Sequence, residues 1–303
     1  MKNIFMKIVM FVMMLSIAGA GTISNGIIAN AASYPSPSST YDIYTLVRDA
    51  SMSGGCSDMV PQGITFAGDY LLISAYCKDH EHNSVIYVFN ESDKSYYGTI
   101  KLPGTEHVGG VAYDCNRDGN IWVSNGNSVG CFKYSQLEKC SNKVLSVTYN
   151  RVANLSYAAS TMCYDAVNDY LWIAQFSESD SSQSFARCYA VNNKTTTNPT
   201  LPYQFEISVP IKTQGISVRG DKMMISSSYG RTNNSTLYSY TWDQSSKTKT
   251  LKSTTTLPPL SEGVVMGSTY AYVVYESVAS EYYDSCSNPV RYFAAYNISN
   301  FGI

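Results

Sequence analysis

Five stretches of the chain repeat one pattern of apolar and polar positions. Each opens with a small residue in a short strand, turns through a few polar residues, runs through a nearly continuous apolar strand and ends in a third strand. They read VPQGITFAGDYLLISAY from Val60, HVGGVAYDCNRDGNIWVSN from His107, AASTMCYDAVNDYLWIAQF from Ala158, KTQGISVRGDKMMISSSYG from Lys212 and LSEGVVMGSTYAYVVYES from Leu260. Aligned on Gly63, Gly110, Thr161, Gly215 and Gly263, they recur every 47–54 residues. A period of that length built only from strands and turns predicts an all-β chain folded as a five-bladed β-propeller, one blade per copy.

The apolar second strands are expected to be sandwiched between neighbouring blades, which makes Leu71, Trp122, Leu171, Trp172, Met223 and Val273 packing residues. The glycines of the inner strands meet a crowded axis and have a backbone reason to be small. After RYFAAYNI, from Arg291 to Ile298, only three strands of blade five have been made. YDIYTLV, from Tyr41 to Val47, is the missing fourth: pairing it with the last blade closes the ring and hides an open edge.

Two segments before it stand outside the repeat. Residues 1–31 combine Lys2 and Lys7, an apolar run from Ile8 to Ala20 and a small-x-small Ala29-Asn30-Ala31 site, the pattern of a signal peptide. Residues 32–40 contain the Pro/Ser-rich YPSPSST and read as a linker. Residues 41–303 are then one propeller domain, expected to be secreted and monomeric, with no membrane span after cleavage.

The formal charge of −2 becomes slightly more acidic when the two leader lysines are removed, and no Lys/Arg cluster occurs. This excludes nucleic acid and anionic membrane as natural partners. Eight cysteines in an exported chain predict disulfides. Strand geometry suggests Cys56 with Cys77 on one face and Cys115 with Cys140 on the other. No CxxC and no His/Cys spacing of a known zinc motif is present.

In a propeller the starts of the inner strands and the loops joining second to third strands gather around one funnel. The inner-strand starts contribute Gln62, His107, Ser160, Gln214 and Glu262. The loops contribute Tyr76, Asp79, His80, Glu81, His82, Asn125, Tyr229, Arg231 and Glu276. Such convergence is the usual form of a site for a small polar molecule, a glycan or a peptide end. Gln62 and Gln214 also have a plain reading, as ties between inner strands. Glu262 is harder to explain that way, because a carboxylate at a channel mouth is costly unless hydrated, paired or functional. His107 is either a rim hydrogen-bonder or an acid/base group. No GxSxG elbow, P-loop, Rossmann fingerprint or HExxH is present. On the opposite face, Asp114, Asn116, Asp118 and Asn120 follow the D-x-N-x-D-G pattern of a calcium loop, a pattern that hairpin turns also favour for backbone reasons.

Thr213–Tyr240, TQGISVRGDKMMISSSYGRTNNSTLYSY, resembles the TQG blade of the plant-type glutamine cyclotransferases, which are five-bladed propellers. EGVV, from Glu262 to Val265, resembles that family's EG inner strand, whose Glu is implicated in catalysis. The likeness covers one blade and a fragment of the next, the blade order differs, and the family's GWG blade has no counterpart. A looser similarity joins the blades to gluconolactonase-type propellers, whose metal-binding Glu, Asn and Asp set finds no clear positions here. The resemblance implies a second expectation beside simple binding: an enzyme of cyclotransferase or lactonase type, with Glu262 as acid/base and His107 beside it.

Overall fold

A computed structural model describes residues 33–117, 119–191 and 201–303. The expected leader and Asp118 lie outside the described residues. Strand β1 (Ser39–Asp42) comes first. Blade one is β2 (Met59–Ala67), β3 (Tyr70–Cys77), β4 (Val85–Asn90) and β5 (Tyr96–Lys101). Blade two is β6 (Val111–Asp114), β7 (Asn120–Ser124) and β8 (Ser128–Lys133); the chain then makes β9 (Val144–Ser146) and β10 (Arg151–Asn154). Blade three is β11 (Thr161–Asp165), β12 (Tyr170–Ala174), β13 (Phe185–Ala190) and β14 (Tyr203–Ser208). Blade four is β15 (Thr213–Arg219), β16 (Lys222–Ser227), β17 (Ser235–Asp243) and β18 (Thr248–Leu257). Blade five is β19 (Ser261–Met266), β20 (Tyr270–Tyr275) and β21 (Tyr292–Asn297), with the short helix α1 (Ser280–Tyr283) between the last two.

The five sheets close a ring, so the chain is a five-bladed β-propeller. β1 pairs antiparallel with β21, Ser39 opposite Ala295 and Asp42 opposite Tyr292, and supplies the fourth strand of blade five. The closing strand sits earlier than the alternation of residues 41–47 suggests: Ser39 and Thr40 pair, whereas Leu46–Arg48 form a 3-10 turn. Its pairing is fixed by the free edge of β21, which composition does not reveal. β9 leaves its own blade and adds to β5 in parallel, Thr99 opposite Val144, as an outer fifth strand of blade one.

Period-two alternation explains the core. In β3, Leu71 and Ile73 face blade five, where they meet Val274 and Phe293. Leu72, between them, faces Val111, Ile121 and Val123 of blade two. Trp122 and Trp172 are fully buried between blades, the first with Leu171 and Ile173, the second with Ile216 and Trp242. A Leu or Ile buried this way contributes about 2 kcal/mol relative to exposure. At the axis a Cβ on Gly263 would lie 2.7 Å from the Gln62 carbonyl oxygen, and one on Gly215 would lie 2.6 Å from that of Glu262. Adjacent inner strands touch backbone to backbone, and only glycine fits.

All eight cysteines are free thiols, so neither expected disulfide is formed. Cys115 lies in an exposed turn whose Asn116 reaches Ala166 of blade three, while Cys140 packs beneath Gly98 of blade one. The turns of blade two diverge toward opposite neighbours and carry the two thiols apart. Cys56 and Cys77 are brought together, with His82 beside them. Among the described residues no helix is long and apolar enough to cross a membrane.

Candidate functional site

The inner strands of blades one, four and five share a local irregularity. Pairing jumps from Pro61 to Ile64, from Thr213 to Gly215 and from Ser261 to Val264. Each jump is a β-bulge, a device that bends a strand and re-aims a side chain. The re-aimed residues are Gln62, Gln214 and Glu262. Backbone groups freed near the axis are caught by buried serines of the second strands: Ser74 Oγ accepts from the Gly63 N–H at 2.9 Å and donates to the Val108 carbonyl at 2.6 Å. Ser124 Oγ accepts from the Gly110 N–H at 2.8 Å. Lys212 and Leu260, two residues before the bulges of blades four and five, hold the left-handed φ values of 63° and 65°. Strain of this kind collects at functional sites.

Above the bulges opens a cavity of about 600 Å³. Of the residues expected at the funnel, Tyr76, His107, Ser160, Gln214, Tyr229, Arg231 and Glu276 line it. Gln62 and Glu262 do not: they are 1% and 2% exposed and form the layer beneath. The cavity also uses Glu106, Phe176 and Tyr282, which sequence reasoning passed over. Tyr282 comes from the helical insertion of blade five, an element without a counterpart in the other copies.

The floor is a carboxyl pair. Gln62 Nε2 donates to Glu276 Oε2 at 3.1 Å and holds that side chain toward blade one. Glu262 lies beneath Glu276, close enough for each carboxyl to act on the other's titration. Burial first, then the charge of Glu276, holds Glu262 protonated well above the usual carboxylate range. Burial also raises Glu276, to about 7, against the opposing pull of its hydrogen bonds and of Arg231. Glu262 Oε1 has no hydrogen-bond partner. Glu262 is thus a buried acid beneath Glu276, and Glu276 is the carboxyl that meets the cavity.

His107 lines the same cavity, its ring centroid 4.2 Å from that of Tyr76. Desolvation by the surrounding wall lowers its pKa to about 4. By surface area the residue is exposed, and both descriptions fit a ring that sits deep in a concavity yet opens onto it; accessible surface decides that a ligand can reach it. Tyr76 also stacks on His80 at 5.4 Å and shares the cavity wall with Tyr282. Burial raises the Tyr76 phenol far above its ordinary range. Across the cavity Phe176 and Tyr229 form a second aromatic wall, 6.1 Å apart, with Lys212 over the Tyr229 ring at 5.4 Å. Ser160 Oγ is committed to the Phe176 N–H at 2.9 Å. Arg231 is fixed at the rim by Glu281 and by Ser285 Oγ at 2.8 Å. Gln214 makes no side-chain hydrogen bond within the described residues and offers its amide to the cavity.

The calcium pattern lies elsewhere. Asp114 is fully buried and paired with Arg117 at 3.1 Å. Asn116 reaches Ala166 O and Asp169 Oδ1 at 3.3 Å each, and Asn120 donates to Arg117 O at 2.8 Å. A guanidinium therefore stands among the oxygens that would have to coordinate a cation.

No family model and no curated protein matches the chain. Solved structures similar to it include a candidate 6-phosphogluconolactonase from Bacteroides uniformis, at 10% identity and a TM-score of 0.41 over 69% of this chain and 62% of that one. A functionally unknown protein from Desulfotomaculum acetoxidans matches at 12% identity and 0.42, covering 73% of this chain and 63% of the other. The Dos1 propeller matches at 12% and 0.38, covering 70% and 52%. The chain spans less than two thirds of each of these structures.

Proposed function

We propose that the protein is secreted, acts as a monomer, and binds a small polar molecule in the funnel, where the Glu276–Glu262 pair moves a proton on it. The observation that carries this reading is Glu276, a carboxyl held by Gln62 at the floor of the cavity with the buried acid Glu262 beneath it. Such a pair costs stability and, among the described residues, has no basic residue bonded to it, which is the expected signature of acid/base work rather than of structure. With a pKa near neutrality, Glu276 is suited to take a proton from a nucleophile and return it to a leaving group. The proton held by Glu262 keeps the pair at a single negative charge. Gln214 and neutral His107 donate hydrogen bonds to a substrate carbonyl, and the Phe176–Tyr229 wall covers its apolar face.

A glycosidase needs two carboxyls about 5 Å or more apart with a sugar between them, whereas here only Glu276 lines the cavity and Glu262 is buried beneath it. Acyl chemistry on a carbonyl, of the cyclotransferase or lactonase kind, fits better, with Glu276 in the contacting role that sequence reasoning gave to Glu262. The test is to screen N-terminal glutaminyl peptides and sugar lactones with wild type, Glu276→Gln and Glu262→Gln. Turnover by the wild type, reduced about 100-fold or more in Glu276→Gln, is expected. Equal turnover by all three proteins rules the pair out of the mechanism. Calorimetric binding without turnover, lost in Glu276→Gln, leaves the funnel as a binding site alone.

A further inference from the structure

Cys56, Cys77 and His82 converge on the loop face of blade one, away from the funnel floor. One ligand atom of each lies within 4.8 Å of the others. Cys77 Sγ stands 3.5 Å from His82 Nδ1. With zinc–sulfur and zinc–nitrogen bonds of about 2.3 and 2.05 Å, two ligands of one tetrahedral ion are about 3.5 Å apart. The observed separation is that of two ligands sharing an ion.

The backbone builds this cluster. Met59 pairs with Cys77, and the Lys78 N–H donates to the Asp58 carbonyl at 3.1 Å, which sets the Cys56 segment alongside the end of β3. His80, with φ of 56°, closes a tight turn through its N–H bond to the Cys77 carbonyl at 2.9 Å and sends His82 back over the thiols. The Asp58 N–H points at Cys56 Sγ at 3.3 Å, a backbone donor of the kind that supports a metal-bound thiolate. Both thiols are 3% exposed, and His82 is half-buried. His82 is the member that meets solvent most, and a fourth ligand would enter beside it.

We propose that Cys56, Cys77 and His82 form a binding site for one borderline-soft divalent ion of the zinc class, with the fourth position open to water. The C-x20-C-x4-H spacing fits no short zinc motif, because two strands of a blade, not one loop, assemble it. The ion would pin the turn that carries Lys78, whose ammonium holds Glu281 of α1 at 2.7 Å. Ser280 Oγ of the same helix donates to Asp58 at 2.7 Å. Thus the site would brace the insertion that supplies Tyr282 to the funnel wall.

Cobalt(II) titration of protein purified with a reductant and treated with chelator tests this. One equivalent is expected to bind with thiolate-to-cobalt charge-transfer absorption and tetrahedral d–d bands, and zinc(II) should displace it. Cys77→Ser should weaken the charge-transfer band, and His82→Asn, at a half-exposed loop position compatible with folding, should weaken cobalt binding at least tenfold. Cobalt binding of equal strength in wild type, His82→Asn and Cys56→Ser overturns the site, as does no binding to a wild type whose thiols titrate as free. A Cys56–Cys77 linked peptide in a non-reducing digest of protein recovered without reductant also overturns it, in favour of a disulfide.

Discussion

Gln62 of blade one donates to Glu276 of blade five at 3.1 Å, so the seam that closes the ring also positions the carboxyl that faces the cavity. The fold's first and last blades meet at the site. A bulge places Gln62, the same bulge in blade five places Glu262, and their shared neighbour is Glu276.

The funnel should show two opposed pH dependences of stability. Glu276 has a folded pKa of about 7, raised above its unfolded value by burial, so its contribution is fully present below the unfolded pKa of about 4.3 and is lost as pH rises through 7. That loss amounts to roughly 4 kcal/mol. His107, lowered to about 4 by desolvation, contributes stability that is present above about 6.5 and lost as pH falls through 4. Glu276→Gln should therefore leave a profile that rises from pH 4 to 6.5, and His107→Gln one that falls from 4.5 to 7. Urea midpoints across that range measure both. Parallel profiles for all three proteins would contradict the assignment.

Gly263→Ala tests the axis. Its Cβ would meet Gln62 O at 2.7 Å and Ile64 N at 2.8 Å, both backbone atoms. Neither can swing away, so blades one and five must separate, at a cost of about 2–4 kcal/mol. The same substitution should perturb the Gln62–Glu276 bond, weakening ligand binding as well as stability. A variant with the wild-type urea midpoint would show that the inner strands have slack.

What the sequence reveals here follows from how local each cause is. Gly63, Gly110, Gly215 and Gly263 sit at fixed offsets from apolar strands, so five blades are legible from periodicity alone. The depth of Glu262 is not, because a bulge adds one residue without changing composition and sends the side chain beneath Glu276. Cys56 and His82 meet only after β2 and β3 pair, and β9 joins blade one through a parallel edge that no turn residue announces. Tyr282 belongs to an insertion that the repeat cannot predict.

The closing strand should carry measurable stability. Tyr41 stacks on Phe293 with centroids 4.9 Å apart and lies 6.4 Å from Tyr272. Tyr41→Ala removes both ring contacts while leaving the β1 backbone free to pair, and should cost about 2 kcal/mol. Deleting residues 34–42 exposes the edge of β21 and should add concentration-dependent self-association, read by light scattering. A deletion variant whose light scattering and thermal stability match those of the full chain would refute the role of β1 as the clasp.

Arg117 decides the fate of the calcium-like turn. Its guanidinium pairs with Asp114 and with Asp169, and also bonds Tyr164 at 3.1 Å. Burial raises Asp114 in spite of this pairing, so the carboxylate depends on the cation beside it. A calcium site of about 10 μM affinity would raise Tm by roughly 5–10 °C at millimolar calcium. No such rise is expected for the wild type, because a cation is already seated. Arg117→Ala leaves Asp114 buried and unpaired, at a cost of about 3–5 kcal/mol. In that variant the vacated space faces Asp114, Asn120 and Asp169 oxygens, and added calcium should recover part of the loss. Thermal melts of both proteins with calcium and with a chelator check each step, and a wild-type Tm that rises with calcium would show that Arg117 yields its place to the ion.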